Sequence, residues 1–294
     1  MAKPFYRVTS TLAFLLALWP TLVLAQGGAP KKVFVITDLE GVDGIFDFNL
    51  QCIPDKSPRY SESRKLLTAE VNAAVKGLYE GGAGSVVVYD GHAGGHNLLP
   101  FDLDSRVDLL AGTPVPPTLE LDSSYAAVVF IGLHAMAGTP NAILPHSYTW
   151  DIENIWVNGK KVGEIGGRVM LAGSFGIPAI MLAGDHAACE EFHQLVPQGE
   201  CAEVKRGVGP AAGFTLTSSA ACALIEKKAR QAMRRHAEIK PYTVKGPVKV
   251  KVELVSSPSA RTFTQQPGVE QLDGRTWVFR GNDLLRAWLK FSSF

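Results

Sequence analysis

The sequence is short of several features that would place it in a familiar class. Its 29 Lys and Arg residues nearly balance its 28 Asp and Glu residues, so it lacks the basic excess expected of a nucleic-acid-binding protein. Glycine and proline show no regular period, which excludes collagen-like and low-complexity chains. No apolar run beyond the N-terminal region reaches the roughly 18 residues typical of a membrane-spanning helix. With 46% hydrophobic residues among 294, the chain predicts a globular protein with a large core.

Several catalytic motifs are also missing. The sequence contains no C-x-x-C, no H-E-x-x-H and no G-x-G-x-x-G, and residues 172–176 lack the first glycine of G-x-S-x-G. These absences disfavour a cysteine–zinc cluster, a classical zincin, a dinucleotide-dependent enzyme and a serine hydrolase.

The N-terminal region has the pattern of a targeting segment. Lys3 and Arg7 precede a short apolar run, Leu12–Ala25, that ends in residues tolerated at a cleavage site. The pattern predicts a secretory signal peptide over residues 1–25, cut before Gln26. The alternative is an uncleaved N-terminal anchor. We therefore expect an exported protein, with the periplasm as its compartment and no stable membrane association after cleavage.

Export gives the four cysteines two possible roles. An oxidising compartment permits disulfides, and Cys189 and Cys201, which flank a short helical run, are the preferred pair. The alternative is four buried thiols that act as small apolar residues.

Apolar runs that alternate with helical patterns predict an α/β fold. The predicted strands are residues 33–37, 85–89, 125–131, 152–157 and 178–183. The predicted helices between them are residues 62–80 and 163–175. Continuous apolar strands indicate a mainly parallel sheet with helices on both faces.

The pattern changes after about residue 214. The later elements are predicted as a helix to about residue 237, strands at 247–255 and 276–279, and a last helix at 281–291. We therefore predict a metal-binding α/β catalytic domain over residues 26–210 and a smaller C-terminal α+β subdomain over residues 211–294.

Acidic residues and histidines follow the predicted strands. The residues at these exits are Asp38, Glu40, His92, His134 and Glu164. In open α/β sheets, ligands gather at the carboxyl ends of the strands, so we expect these side chains to meet. Each residue alone could be a turn cap or a packed histidine, but together they suit a divalent transition metal, with zinc the best match. Five ligands exceed the needs of one catalytic zinc, which favours two metals that share a carboxylate.

Five short motifs then resemble a known family. They are Thr37-Asp38-Leu39-Glu40-Gly41, Asp90-Gly91-His92, Gly132-Leu133-His134-Ala135, His146-Ser147 and Val162-Gly163-Glu164. Their order and approximate spacing resemble the D-aminopeptidases of peptidase family M55 (DppA type) over most of residues 33–290. The resemblance implies a zinc-dependent hydrolase that removes an N-terminal D-amino acid, of the D-Ala type, from short peptides.

The resemblance also implies roles for individual residues. Asp38 would bridge two zinc ions, Glu40 and His92 would complete one site, and His134 and Glu164 would complete the other.

Further implications concern catalysis and assembly. His146 matches the catalytic histidine of the family, described as a nucleophile or as an acid/base. Family members assemble as homo-oligomeric rings, so a decamer is expected. Gly91 departs from the family pattern, since a serine commonly precedes this metal-binding histidine, and the export signal is also atypical.

Two other functions compete with this interpretation. Asp38-Leu39-Glu40-Gly41 after a buried strand resembles the opening of haloacid-dehalogenase-like phosphatases. However, Glu40 replaces their second aspartate, and the histidines are surplus to magnesium chemistry, which prefers oxygen ligands. A non-catalytic exported protein that binds a metal or a solute would also explain the signal peptide and the α/β pattern.

Overall fold

The computed structural model describes residues 1–4, 31–256 and 266–292. The predicted signal peptide therefore lies, apart from its first four residues, outside the described residues. Among the helices that are described, none is long and apolar enough to span a membrane.

The described residues form strands and helices in alternation. The strands are β1 (Lys32–Thr37), β2 (Ser85–Tyr89), β3 (Val107–Leu110), β4 (Tyr125–Leu133), β5 (Ile152–Val157), β6 (Lys160–Val162), β7 (Ala179–Asp185), β8 (Glu200–Gly209), β9 (Ala212–Thr215), β10 (Val248–Leu254), β11 (Val269–Gln271) and β12 (Thr276–Gly281). The helices are α1 (Phe48–Gln51), α2 (Tyr60–Glu80), α3 (Glu164–Ser174), α4 (His186–His193), α5 (Ser218–Arg235) and α6 (Leu284–Ser292).

The main sheet confirms the predicted α/β class. Its strand order is β3-β2-β1-β4-β7-β8-β9, and all neighbours are parallel except β8 and β9. Helices α2 and α5 pack together on one face, and α3 and α4 cover the other. The chain leaves β1 toward β2 and later returns to the opposite side of β1 as β4. A crevice at the carboxyl ends of β1 and β4 follows from this reversal of strand order.

The core explains why these segments became strands and helices. The side chains of β1 and β4 are almost all buried and apolar, with Phe34 and Phe130 among the largest. In α2, Leu67, Val71 and Leu78 lie on the face that packs into the core. The apolar spacing predicted this helix to within two residues at its start, and its end at Glu80 is followed by Gly81 as expected.

A second, antiparallel sheet has the order β11-β12-β10-β5-β6. Strand β10 pairs with β5 on one side and β12 on the other, and α6 packs against β10 and β12. This sheet therefore combines strands from both sides of the predicted domain boundary at residue 210, and the division itself stays a prediction.

The predicted Cys189–Cys201 disulfide is absent, because all four cysteines are free thiols. Cys189 lies on α4 and Cys201 on β8, and the Cys201 thiol points toward the Cys189 carbonyl at 3.8 Å. Cys52 and Cys189 are buried. They pack as small apolar residues, whereas Cys201 and Cys222 are partly exposed, so the alternative of four buried thiols holds for only two of them.

Candidate metal centre

The loop after β1 is held against the end of β4. The Asp38 amide donates to the Ile131 carbonyl at 2.9 Å, and the Gly41 amide donates to the Gly132 carbonyl at 2.7 Å. Gly132 has φ +76°, and a Cβ atom there would lie 2.1 Å from the Asp38 carbonyl oxygen. A side chain at Gly41 would likewise meet the Leu133 carbonyl oxygen at 2.0 Å. Glycine is needed at both positions because the two backbones touch.

The first group of candidate ligands is Asp38, Glu40 and His92, whose ligand atoms lie within 4.8 Å of one another. The His92 Nδ1 atom lies 3.0 Å from Asp38 Oδ1 and 3.1 Å from Glu40 Oε2. On its other side, His92 Nε2 lies 2.7 Å from the Cys52 carbonyl oxygen. If Nε2 carries the proton and donates to this carbonyl, Nδ1 presents its lone pair to the carboxylates.

The second group is His134, His146 and Glu164, again within 4.8 Å. The His134 Nε2 atom lies 3.4 Å from Glu164 Oε1, and His146 Nε2 lies 4.0 Å from the same oxygen. The Nδ1 atoms of both histidines face backbone carbonyls, at 3.0 Å for His134 and 2.9 Å for His146. Both rings are thus oriented with Nε2 toward Glu164.

Asp38 connects the two groups. Its Oδ1 atom faces His92 at 3.0 Å, whereas its Oδ2 atom faces His134 at 3.4 Å. The structure therefore brings all six predicted site residues together, with one carboxylate between the groups. Which of them bind a metal stays a prediction.

The electrostatics of the centre reflect close, buried opposite charges. Burial opposes ionisation of Asp38, but the adjacent imidazoles of His134 and His92 outweigh this effect and hold the pKa of Asp38 well below its usual value. Burial likewise opposes the charged form of His134, yet Asp38 and Glu164 raise the pKa of His134 well above normal. The carboxylates therefore require positive charge beside them.

Two buried atoms indicate that the residues fit a cation. Glu40 Oε2 and His134 Nε2 have no hydrogen-bond partner of good geometry among the described residues. Both nevertheless lie within 3.1–3.4 Å of neighbouring ligand atoms. Buried polar atoms are normally paired, so unpaired lone pairs that converge in this way suit a shared metal.

His146 is also fixed by aromatic stacking. Its ring lies 3.9 Å from the His134 ring at 11°, and 4.6 Å from the Trp150 ring at 14°. Trp150 is half-exposed, whereas His146 is buried. The stack leaves His146 Nε2 facing the centre.

Three neighbouring residues were missed by sequence reasoning. The Tyr148 amide donates to Glu164 Oε1 at 2.7 Å. The buried Glu191 accepts a hydrogen bond from the Met136 amide at 2.8 Å, and burial raises the pKa of Glu191 to about 7. Arg168 lies on α3 four residues after Glu164, so the helical spacing alone could have placed it beside the centre.

An α/β sheet with imidazole and carboxylate groups at its carboxyl edge defines a candidate metallohydrolase. The chain belongs to peptidase family M55, because the model of that family, described as D-aminopeptidase, matches residues 31–292. It is accordingly an enzyme of the hydrolase class.

A curated relative and a solved structure are similar to it. A D-aminopeptidase of Bacillus subtilis (strain 168) is 28% identical over 260 residues, which cover 87% of this chain and 94% of the relative. The solved structure of the Zn-dependent D-aminopeptidase DppA from Bacillus subtilis, a self-compartmentalizing protease, matches with a TM-score of 0.83 and 28% identity. That match covers 88% of this chain and 95% of the other.

The contact between the two loops generates a prediction. We expect Gly132→Ala to reduce bound divalent metal and thermal stability, because the new Cβ must displace the Asp38 backbone. Gly176→Ala is the matched control: Gly176 also has φ +76°, but nothing lies within 4 Å of a Cβ there. Both variants incur the left-handed backbone penalty of about 1–2 kcal/mol, so only the difference in metal content and melting temperature reports the contact. Equal effects in the two variants would contradict this account.

Proposed function

We propose that this chain is a zinc-dependent D-aminopeptidase with a dinuclear site, which releases an N-terminal D-amino acid of the D-Ala type from short peptides. The observation that carries the proposal is the Asp38 carboxylate, whose two oxygens face histidines of different groups. A carboxylate in this position suits two cations that share one ligand. The similarity to a Zn-dependent D-aminopeptidase supports zinc as the metal.

The ligand assignment follows the two groups. Asp38 would be shared by both ions, Glu40 and His92 would complete one site, and His134 and Glu164 would complete the other. Imidazole nitrogen and carboxylate oxygen are the usual zinc ligands of catalytic sites that lack cysteine.

His146 acts as the proton-transfer residue. Its Nδ1 atom faces the Leu144 carbonyl at 2.9 Å, so Nε2 is the atom available for exchange with substrate. Zinc, when bound, supplies a water of lowered pKa and polarises the scissile carbonyl. His146 Nε2 then holds the developing oxyanion or passes a proton to the leaving amine.

The two competing functions are not favoured. A phosphatase of the haloacid-dehalogenase type does not account for His92 and His134 directed at the carboxylates. A non-catalytic binding protein would not need His146, whose ring is held between His134 and Trp150 beside the candidate ligands. The match to a peptidase family over residues 31–292 agrees with both arguments.

The metal assignment predicts different effects for neighbouring histidines. Wild-type protein should hold about two zinc ions per protomer by mass spectrometry of metals. His134→Ala should lose metal and activity together, since it removes a ligand. His146→Ala should keep the metal but lose turnover by about 10²–10⁴-fold, as expected for general acid–base catalysis.

His193→Ala provides the control for this series, because His193 lies exposed at the end of α4, where its Nε2 atom faces the Gly199 carbonyl at 3.1 Å. It should change neither metal content nor turnover. Fewer than one ion per protomer after zinc loading would refute the dinuclear site, and full activity of His146→Ala would refute its catalytic role.

The substrate assignment predicts stereospecific hydrolysis. D-Ala-D-Ala should be cleaved with kcat/KM at least about 100-fold above L-Ala-D-Ala, since a pocket built for one configuration misplaces the scissile bond of the other. These dipeptides differ only at the N-terminal centre, so each is the control for the other. A preference for L-Ala-D-Ala, or hydrolysis of p-nitrophenyl phosphate with magnesium instead, would reject the assignment.

Export and assembly belong to the same proposal. The N-terminal pattern supports export to the periplasm, and similarity to a self-compartmentalizing protease supports a homo-oligomeric ring, which we propose is a decamer. Native mass spectrometry of the protein recovered from the exporting cell should give a subunit that begins at Gln26 and a particle of ten subunits. A subunit that retains residues 1–25 would contradict cleavage, and a monomer would contradict the ring.

A further inference from the structure

A cavity of about 290 Å³ lies next to the candidate metal centre. Its wall includes Tyr89 from the end of β2, Tyr148 and Arg168, and Trp288 and Phe291 of α6 also line it. The cavity and the centre share a wall, because the Tyr148 amide donates to Glu164 Oε1 at 2.7 Å while the Tyr148 side chain lines the cavity.

Arg168 is the charged residue of this cavity wall. Within the described residues, its guanidinium makes no hydrogen bond or ion pair, and it lies over the Tyr148 ring at 5.5 Å from the centroid. Arg64, which is also half-buried, differs because it donates to the carbonyls of Asn97 and Leu98. A guanidinium offers five donors in a planar fork that matches a carboxylate.

The Tyr148 hydroxyl is a second donor in the same place. It is buried and has no hydrogen-bond partner among the described residues. Two donor groups thus line one cavity without an acceptor, an arrangement that suits an anionic ligand.

The spacing along α3 suits a dipeptide. Arg168 is one turn beyond Glu164, an axial rise of about 6 Å. Adjacent Cα atoms of an extended peptide are about 3.8 Å apart. A carboxylate one residue beyond the scissile carbonyl therefore lies within reach of an arginine side chain that begins one turn past a metal ligand.

We propose that Arg168, assisted by the Tyr148 hydroxyl, binds the free α-carboxylate of the residue that follows the scissile bond. This inference rests on the proposed function and deepens it, because it makes the dipeptide with a free C-terminus the preferred substrate. The charge of Arg168 also offsets the repulsion between that carboxylate and the acidic ligands Asp38 and Glu164. Peptides that are longer, or amidated at this position, lack the charge that Arg168 recognises.

Kinetics with matched substrates test the assignment. Arg168→Met should lower kcat/KM for D-Ala-D-Ala by about 30-fold or more, the loss expected for a hydrogen-bonded charge, mainly through KM. For D-Ala-D-Ala amide the same variant should match wild type within about threefold. Arg168→Lys should have a kcat/KM for D-Ala-D-Ala between those of wild type and Arg168→Met, since lysine keeps the charge but lacks the bidentate fork.

Lys161→Met provides the control for the loss of a cation. Lys161 lines a separate cavity beside His146, of about 320 Å³, and is the competing cation for the carboxylate. Lys161→Met should leave kcat/KM unchanged for both D-Ala-D-Ala and D-Ala-D-Ala amide. A selective loss for D-Ala-D-Ala in Lys161→Met, or an equal loss for both substrates in Arg168→Met, would overturn the role of Arg168.

A binding measurement separates this inference from the proposed activity. The probe is the phosphinate analogue of D-Ala-D-Ala, in which the scissile amide is replaced, prepared with a free carboxylate and as the carboxamide. By calorimetry, zinc-loaded wild type should prefer the carboxylate about 30-fold, and Arg168→Met should bind both forms equally.

Each outcome of this measurement decides one of the two proposals. A wild-type protein that cleaves no dipeptide but keeps the carboxylate preference through Arg168 would refute the peptidase activity and support the subsite. A wild-type protein that cleaves D-Ala-D-Ala yet binds both analogues equally would refute the subsite alone.

Discussion

Three carboxylates that repel one another, Asp38, Glu40 and Glu164, are held together at the carboxyl edge of the main sheet, largely out of water. Burial of even one ionised carboxylate is costly unless positive charge or hydrogen bonds accompany it. His92 and His134 supply part of that compensation, as the lowered pKa of Asp38 indicates. The remaining unpaired atoms, Glu40 Oε2 and His134 Nε2, make a cation the natural completion of the centre.

The backbone keeps this arrangement in place from the side away from the ligand atoms. Carbonyl groups of Cys52, Ala135 and Leu144 each face the histidine nitrogen that does not point into the centre. The Tyr148 amide differs, because it donates to Glu164 Oε1, the oxygen that also faces His134 and His146. Because these partners are main-chain groups, they depend on the course of the loops and not on side-chain identity, so the ligand geometry is inherited from the sheet itself.

The sequence predicted several long elements because their apolar residues recur with the period of a helix or fill a continuous strand, but it missed the ten-residue strand β8. Helix α2 and strands β1, β2 and β4 are examples of the predicted elements. Strands β3, β6, β9 and β11 have three or four residues each and largely exposed or half-exposed patterns, so they gave no periodic signal.

The side chains of the candidate site could be predicted from the sequence, but the contacts that hold them in place could not. Strand exits and the family resemblance identified all six side chains. The Cys52 carbonyl and the Tyr148 amide act through contacts between segments 40 and 16 residues apart, for which local sequence has no pattern. Trp150 stacks on His146 only four residues away, but no sequence motif marks that contact. The second sheet was unforeseen for the same reason, since β5 finds its partner β10 some ninety residues later.

The parallel pairing of β1 with β4 joins segments separated by about ninety residues, and Asp38 meets His134 only through it. Long-range pairings of this kind form late during folding, because the loop between them must first be closed. A nascent chain therefore carries the residues of the site before they are brought together. The candidate site is therefore complete only when this long-range pairing has formed.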